Sequence, residues 1–167
     1  MAAADPYTAV VDGLWALLES KDYFTDLVAV SNRIKFTGSD RSPIKREVGE
    51  GDLIEVRVLP VSCTPHPERT SNGETENVTF EIQVSTGDQR IDAGVFPIHW
   101  AIKRALVDVH AYLKTNVTFG GNNVVNSVEV EAGRFGVSQA DLNRGIKGWS
   151  AIHSITVKLW HANAWLA

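Results

Sequence analysis

Apolar residues recur at helical spacing near the start of the chain. Tyr7, Val10, Val11, Leu14, Leu17 and Leu18 share one side of a helical wheel. Asp5 can cap the turn that follows, and Pro6 suits a first helical position. The pattern predicts a helix over about 6–19, which Gly13 weakens slightly. LVAVSNRIKF, residues 27–36, carries enough Val and Ile for a short strand. In DLIEVRVLPV, residues 52–61, Ile54, Val56 and Val58 alternate with Glu55 and Arg57, the period of a strand. VTFEIQVST, residues 78–86, alternates more cleanly: Val78, Phe80, Ile82 and Val84 point one way. FPIHWAIKRALVDVHAYLK, residues 96–114, returns to helical spacing. VVNSVEVEA, residues 124–132, predicts a strand with Val124, Asn126, Val128 and Val130 on one face. The last strand is SAIHSITVKLWHA, residues 150–162, with Ile155, Val157 and Leu159 opposite Thr156, Lys158 and Trp160.

Polar segments separate these elements. Residues 37–51 form a polar connection with glycine near each end, and 133–145 a loop with a helical turn at 138–144. Residues 62–77 lack a run of apolar positions and hold Pro65, Pro67 and Gly73, so they read as a long exposed loop. A short C-terminal tail follows from about 161. The order α-β-β-β-α-β-β predicts one α+β domain over 1–167. Its sheet is mostly antiparallel, with two main helices packed on one face.

Composition narrows the function classes. A hydrophobic content of 44% with 22% charged residues is ordinary for a globular domain, and 167 residues can bury one core. Net charge is −4, so no global basic field argues for nucleic acid. Cys63 is the single cysteine, which excludes an internal disulfide and a cysteine-rich zinc site. MAAADPYTAV has neither the basic region nor the apolar run of a signal peptide, and no window is long enough to span a bilayer. The sequons at Asn77 and Asn116 read as chance matches.

Candidate chemistry is sparse. His66, His99, His110, His153 and His161 show no H-x-H or H-x-x-x-H spacing, and no phosphate-loop, dinucleotide or nucleophile-elbow motif occurs. No cofactor or metal is expected. Glu74/Glu76 and Glu129/Glu131 have the same-face spacing of a strand, which most often marks a solvated face. Arg41, Lys45 and Arg46 cluster in a loop flanked by Asp40 and Glu47.

The helix at 96–114 is more informative. Residues advance about 100° each on its wheel. Ala101, Tyr112, Ala105, Ile98, Val109, Ile102, Leu113 and Leu106 make one apolar arc wide enough to cover a sheet. His99, His110, Lys103 and Lys114 border it as a basic stripe. Trp100, Val107 and Ala111 form a second, narrower apolar stripe away from the first. A surface tryptophan in an apolar patch is a candidate for contact with a partner. Trp160, opposite the apolar face of its strand, and Trp165, in the tail, extend the list of candidate interface residues.

The capped N-terminal helix, DLIEVRVLPV, VTFEIQVSTGD, HWAIKRALVDVH and the closing GWSAIHSITVKLW together resemble the tail terminator (tail completion) proteins of long-tailed bacteriophages and related minor tail or neck proteins. The resemblance is one of pattern and order over most of the chain, with no catalytic motif. It implies a virion structural protein that forms a homomeric ring, commonly a hexamer, and is not an enzyme. Such a ring caps the tail tube, stops its polymerisation and meets the head-completion or connector protein, while DNA passes through the lumen without specific binding. It would be assembled in the host cytoplasm. Arg41, Lys45, Arg46, His66 and Arg69 are then candidates for partner-facing loops. Two other classes compete: a small-ligand or peptide-binding α+β module, and an enzyme assembled from distant residues such as His153 with Glu129.

Overall fold

Asp5 opens the first helix as its sequence predicts. Its carboxylate accepts the backbone N–H of Thr8 at 2.7 Å and the Thr8 hydroxyl at 2.9 Å, and Pro6 takes the first turn, where no N–H is required. This is α1, Pro6–Glu19. The protein is described by a computed structural model covering residues 5–35, 54–70, 72–87, 90–137 and 148–162, with 65–70 described by backbone alone. Replacing Asp5 by Ala should lower stability by about 1 kcal/mol. Urea denaturation would show it as a lower midpoint at unchanged slope; an unmoved midpoint would show that the cap contributes nothing.

After α1 comes a single turn, α2 (Asp22–Thr25), then a 3-10 turn at Val30–Asn32 and a two-residue strand β1 (Arg33–Ile34). The strand predicted over 27–36 is therefore mostly turn. Arg33 explains the arrangement: its guanidinium donates to the Val28 carbonyl at 2.7 Å and pairs with Glu19 at 3.3 Å, folding the segment back onto α1. Strands β2 (Ile54–Thr70) and β3 (Gly73–Thr86) form one long antiparallel hairpin. Then come α3 (Val95–Ala105), a 3-10 turn at Leu106–Asp108 and α4 (Val109–Asn116). The helix predicted over 96–114 is thus tightened in its middle. A small hairpin, β4 (Thr118–Phe119) with β5 (Asn122–Asn123), leads to β6 (Val125–Val130), β7 (Arg134–Val137) and β8 (Trp149–Ala162).

The main sheet runs β1-β2-β3-β8-β6, and β7 pairs with β8 on the same side as β6. Every pairing is antiparallel except β1 with β2. The class is α+β with a mostly antiparallel sheet, as predicted, and three helices longer than one turn pack against it: α1, α3 and α4. Val78, Phe80, Ile82, Val84, Ile155, Val157 and Leu159 are buried with Ile98, Ile102, Leu106 and Val109 in one core. The two apolar faces predicted to meet do so. Gly13, far from merely weakening α1, lets it lie close against the end of α4: a Cβ there would lie 2.6 Å from Val117 Cγ2 and 3.0 Å from Leu113 Cδ2.

The predicted loop at 62–77 is instead the outer half of the hairpin. Cys63 faces Val78, Pro65 faces Glu76, and Thr70 faces Gly73 at the tip. Its polar composition misleads because β3 is an inner strand, paired with β8 from Gly73↔Ala162 to Thr86↔Trp149. Ladder hydrogen bonds on both sides of β3 hold a segment whose side chains alone would not. Beyond its short pairing with β1, β2 lies at the edge, where Pro60, Pro65 and Pro67 cost little; the register shifts at Pro60/Ser62 and Pro65/Arg69. His161 and Ala162, predicted to begin the tail, are the last two residues of β8, and 163–167 lie outside the described residues. On β6 a register shift between Val125 and Ser127 moves the apolar face. Val125 and Val128 are buried, while Asn126 and Val130 are exposed. The helical turn predicted at 138–144 lies outside the described residues.

Candidate interaction surface

The outer flank of α3–α4 carries the exposed stripe. Trp100 is 59% exposed and Val107 81%, and Ala111 is also exposed. All three point away from the core because α3 and α4 bury the opposite side, Ile98, Ile102, Val109 and Leu113. Lys103 Nζ lies 6.0 Å from the Trp100 ring centroid, a cation over an indole in open solvent.

The patch is larger than the sequence suggested. Phe96, one turn before Trp100, is exposed and meets Phe135 of β7 edge-on with centroids 5.5 Å apart. Val137, two residues further along β7, is also exposed. Phe96 was legible on the same wheel as Trp100. Phe135 and Val137 were not, because GRFGV reads as loop; only the pairing of β7 with β8 places them beside α3.

Beneath this patch lie two histidines. His153 of β8 is buried, 3% exposed, and stacks on half-buried His99 of α3 with centroids 4.4 Å apart. Phe135 covers His99 at 4.5 Å. Gly133 leaves the necessary room: a Cβ there would come 2.8 Å from His99 Cε1. Burial, then the like charges of His99 and Lys103, push the His153 imidazole down to about 4. Burial and Lys103 also lower His99. His99 therefore leaves the solvated stripe predicted for it, whereas His110, Lys103 and Lys114 stay exposed. The pairing of His153 with Glu129 fails. Glu129 faces Thr156 on the sheet side away from the helices, whereas His153 faces α3.

A second polar cluster ties the start of α1 to the sheet. The Tyr7 hydroxyl donates to Glu76 at 2.9 Å, and His161 Nε2 lies 3.0 Å from the same carboxylate. Burial and then the Glu76 hydrogen bond push the Tyr7 phenol up to about 12. Cys63 is exposed and free. A shallow groove of about 390 Å³ between α1 and α4 is lined by Asp12, Gly13 and Asn116 among others. No three of His, Cys, Asp and Glu converge as metal ligands among the described residues.

The other predicted site residues divide. Trp160 is half-buried on the sheet face away from the helices, its Nε1 only 2.7 Å from where a Cβ on Gly73 would lie, so its indole packs over the start of the neighbouring strand β3. His66 and Arg69 lie on β2 instead of a loop. Arg41, Lys45, Arg46 and Trp165 lie outside the described residues. No described helix is long and apolar enough to cross a membrane. No protein-family model matches the chain, and no curated protein sequence matches it.

Proposed function

We propose that the chain is a ring-forming virion structural subunit, a tail terminator that caps the tail tube and joins it to the head connector. The observation that carries this reading is the exposed stripe of Trp100, Val107 and Ala111, set apart from a core already closed on the other side of the same helices. A ring subunit needs sticky surface beyond what its own fold buries, because each copy contacts two neighbours. Burial contributes about 25 cal/mol per Å² of apolar area, and a large aromatic brings some 150–250 Å². A tryptophan at the centre of an interface can thus contribute about 2 kcal/mol or more. The resemblance in element order to phage tail terminators supplies the choice among rings. It carries with it the tube and connector proteins as partners, the virion as location, and a lumen that passes DNA without binding it.

Light scattering and negative-stain microscopy of the purified protein test this. Closed rings are expected from the wild type, and Trp100→Glu should give a folded monomer by circular dichroism. Tails assembled with that variant should lose length control. A wild type that stays monomeric at high concentration would overturn the ring reading and favour the ligand-binding module, for which the groove beside Gly13 is the place to look.

A further inference from the structure

A ring closed by rotation needs two different surfaces on each subunit, one for each neighbour. Resting on the ring reading, we propose that the stripe of one copy docks on the α2–β1 corner of the next. The stripe side consists of Phe96 and Trp100 on α3 with Phe135 and Val137 on β7, all exposed. Its border is cationic at Lys103, which lies beside Trp100, exposed and in no ion pair among the described residues. The corner offers the complement. Leu27 is 41% exposed and Val30 75%, the latter among the most exposed large apolar side chains described. Asp22 and Asp26 flank them, exposed and likewise in no ion pair among the described residues. One patch is apolar with a basic rim, the other apolar with an acidic rim. Such complementarity fixes orientation and disfavours stripe-to-stripe pairing, which would bring like charges together.

Their placement suits head-to-tail contact. The 3-10 turn bearing Val30 runs directly into β1, the outermost strand at one edge of the sheet. Phe135 and Val137 belong to β7, at the other edge, and Phe96 touches Phe135 there. From β1 through β2, β3 and β8 to β7 is four strand spacings, roughly 19 Å. The patches approach each other along the helices, where Arg104 of α3 lies 4.0 Å from the Tyr23 ring centroid of α2, but their outer ends, Val30 and Phe135 with Val137, belong to opposite edges of the sheet; contact through those ends leaves a free patch of each kind on a growing row until the ring closes.

Complementary dead-end variants test the pairing. Trp100→Glu removes the stripe and leaves the corner; Val30→Glu removes the corner and leaves the stripe. Each alone should be a folded monomer by light scattering and circular dichroism. Mixed in equal amounts they should give a species of twice the subunit mass and nothing larger, because only one live contact remains. If Val30→Glu alone forms dimers, the stripe pairs with itself and the proposal is overturned; rings from Val30→Glu alone overturn it as well. In both cases wild-type rings would leave the ring reading standing, whereas a monomeric wild type would remove both. Charge reversal gives an independent check that disturbs no apolar packing. Asp26→Lys or Lys103→Glu should each weaken association by about tenfold, and a chain carrying both should regain it. A double variant no better than the singles would show that these charges do not meet.

Discussion

Replacing Ile102 by Ala should lower the stability of the protein by about 2–5 kcal/mol. Ile102 is fully buried in α3, on the side that faces β3 and β8. Its neighbours in the core include Phe80, Ile82 and Ile155, which are themselves fully buried. Strands on one side and α1 on the other fix these side chains, so the space left by the lost atoms collapses only in part. The cost therefore includes a cavity as well as the lost transfer free energy. Thermal and urea denaturation should show a lower midpoint with little change in slope. Val107→Ala, at a position 81% exposed on the same helical segment, should barely move the monomer's transition. Equal effects from the two substitutions would mean that the core arc and the stripe have been assigned to the wrong sides of the helix.

The parts of the fold that were legible in the sequence are those in which one strong periodicity acts alone. Asp5-Pro6 followed by an apolar 3.6 pattern gives α1 at its observed bounds. Period-two alternation gives the inner halves of β2, β3 and β8, and the meeting of Ile102 with Ile155 and Val157 follows from matching their apolar faces. The outer hairpin was hidden for a physical reason. From Thr64 to Asn77 the strands have few apolar side chains to report their pleat, and backbone pairing with β8 stabilises them instead. That information lies some eighty residues away. Local pattern also misplaced Val125 and Asn126: the bulge between Val125 and Ser127 puts Val125 on the core face with Val128 and leaves Asn126 exposed, and a bulge leaves no mark in a simple alternation.

The candidate site was legible to a similar degree. The wheel separated Trp100, Val107 and Ala111 from the core without any tertiary knowledge. It did not reveal Phe135, which meets α3 only because β7 returns along β8. Nor did it reveal the histidine pair. His99 sits at the border of the apolar arc, where a wheel allows either solvent or neighbour, and His153 decides the matter from a strand far along the chain.

The histidine pair makes the fold sensitive to acid. His153 takes up a proton near 6.5 in an unfolded chain, but burial beside His99 and Lys103 holds it neutral down to about 4 in the native protein. Between those values the unfolded state binds more protons than the native state, so stability rises with pH there. Read downward, stability is lost as pH falls from about 6.5 through 4. The loss from this one group approaches about 3 kcal/mol, at 1.36 kcal/mol for each pKa unit. His99 is displaced in the same direction and adds to it. The His99 imidazole and the Lys103 ammonium beside the buried ring cannot stabilise its charge, and Phe135 of β7 stacks on His99. Urea unfolding at a series of pH values between 7 and 4 would measure the slope. The control is His153→Leu, which places an apolar side chain at the buried position opposite Ile82 and removes the titrating nitrogen. Its stability curve should flatten across the same interval. An identical slope in wild type and variant would mean that other groups, and not His153, govern the acid response.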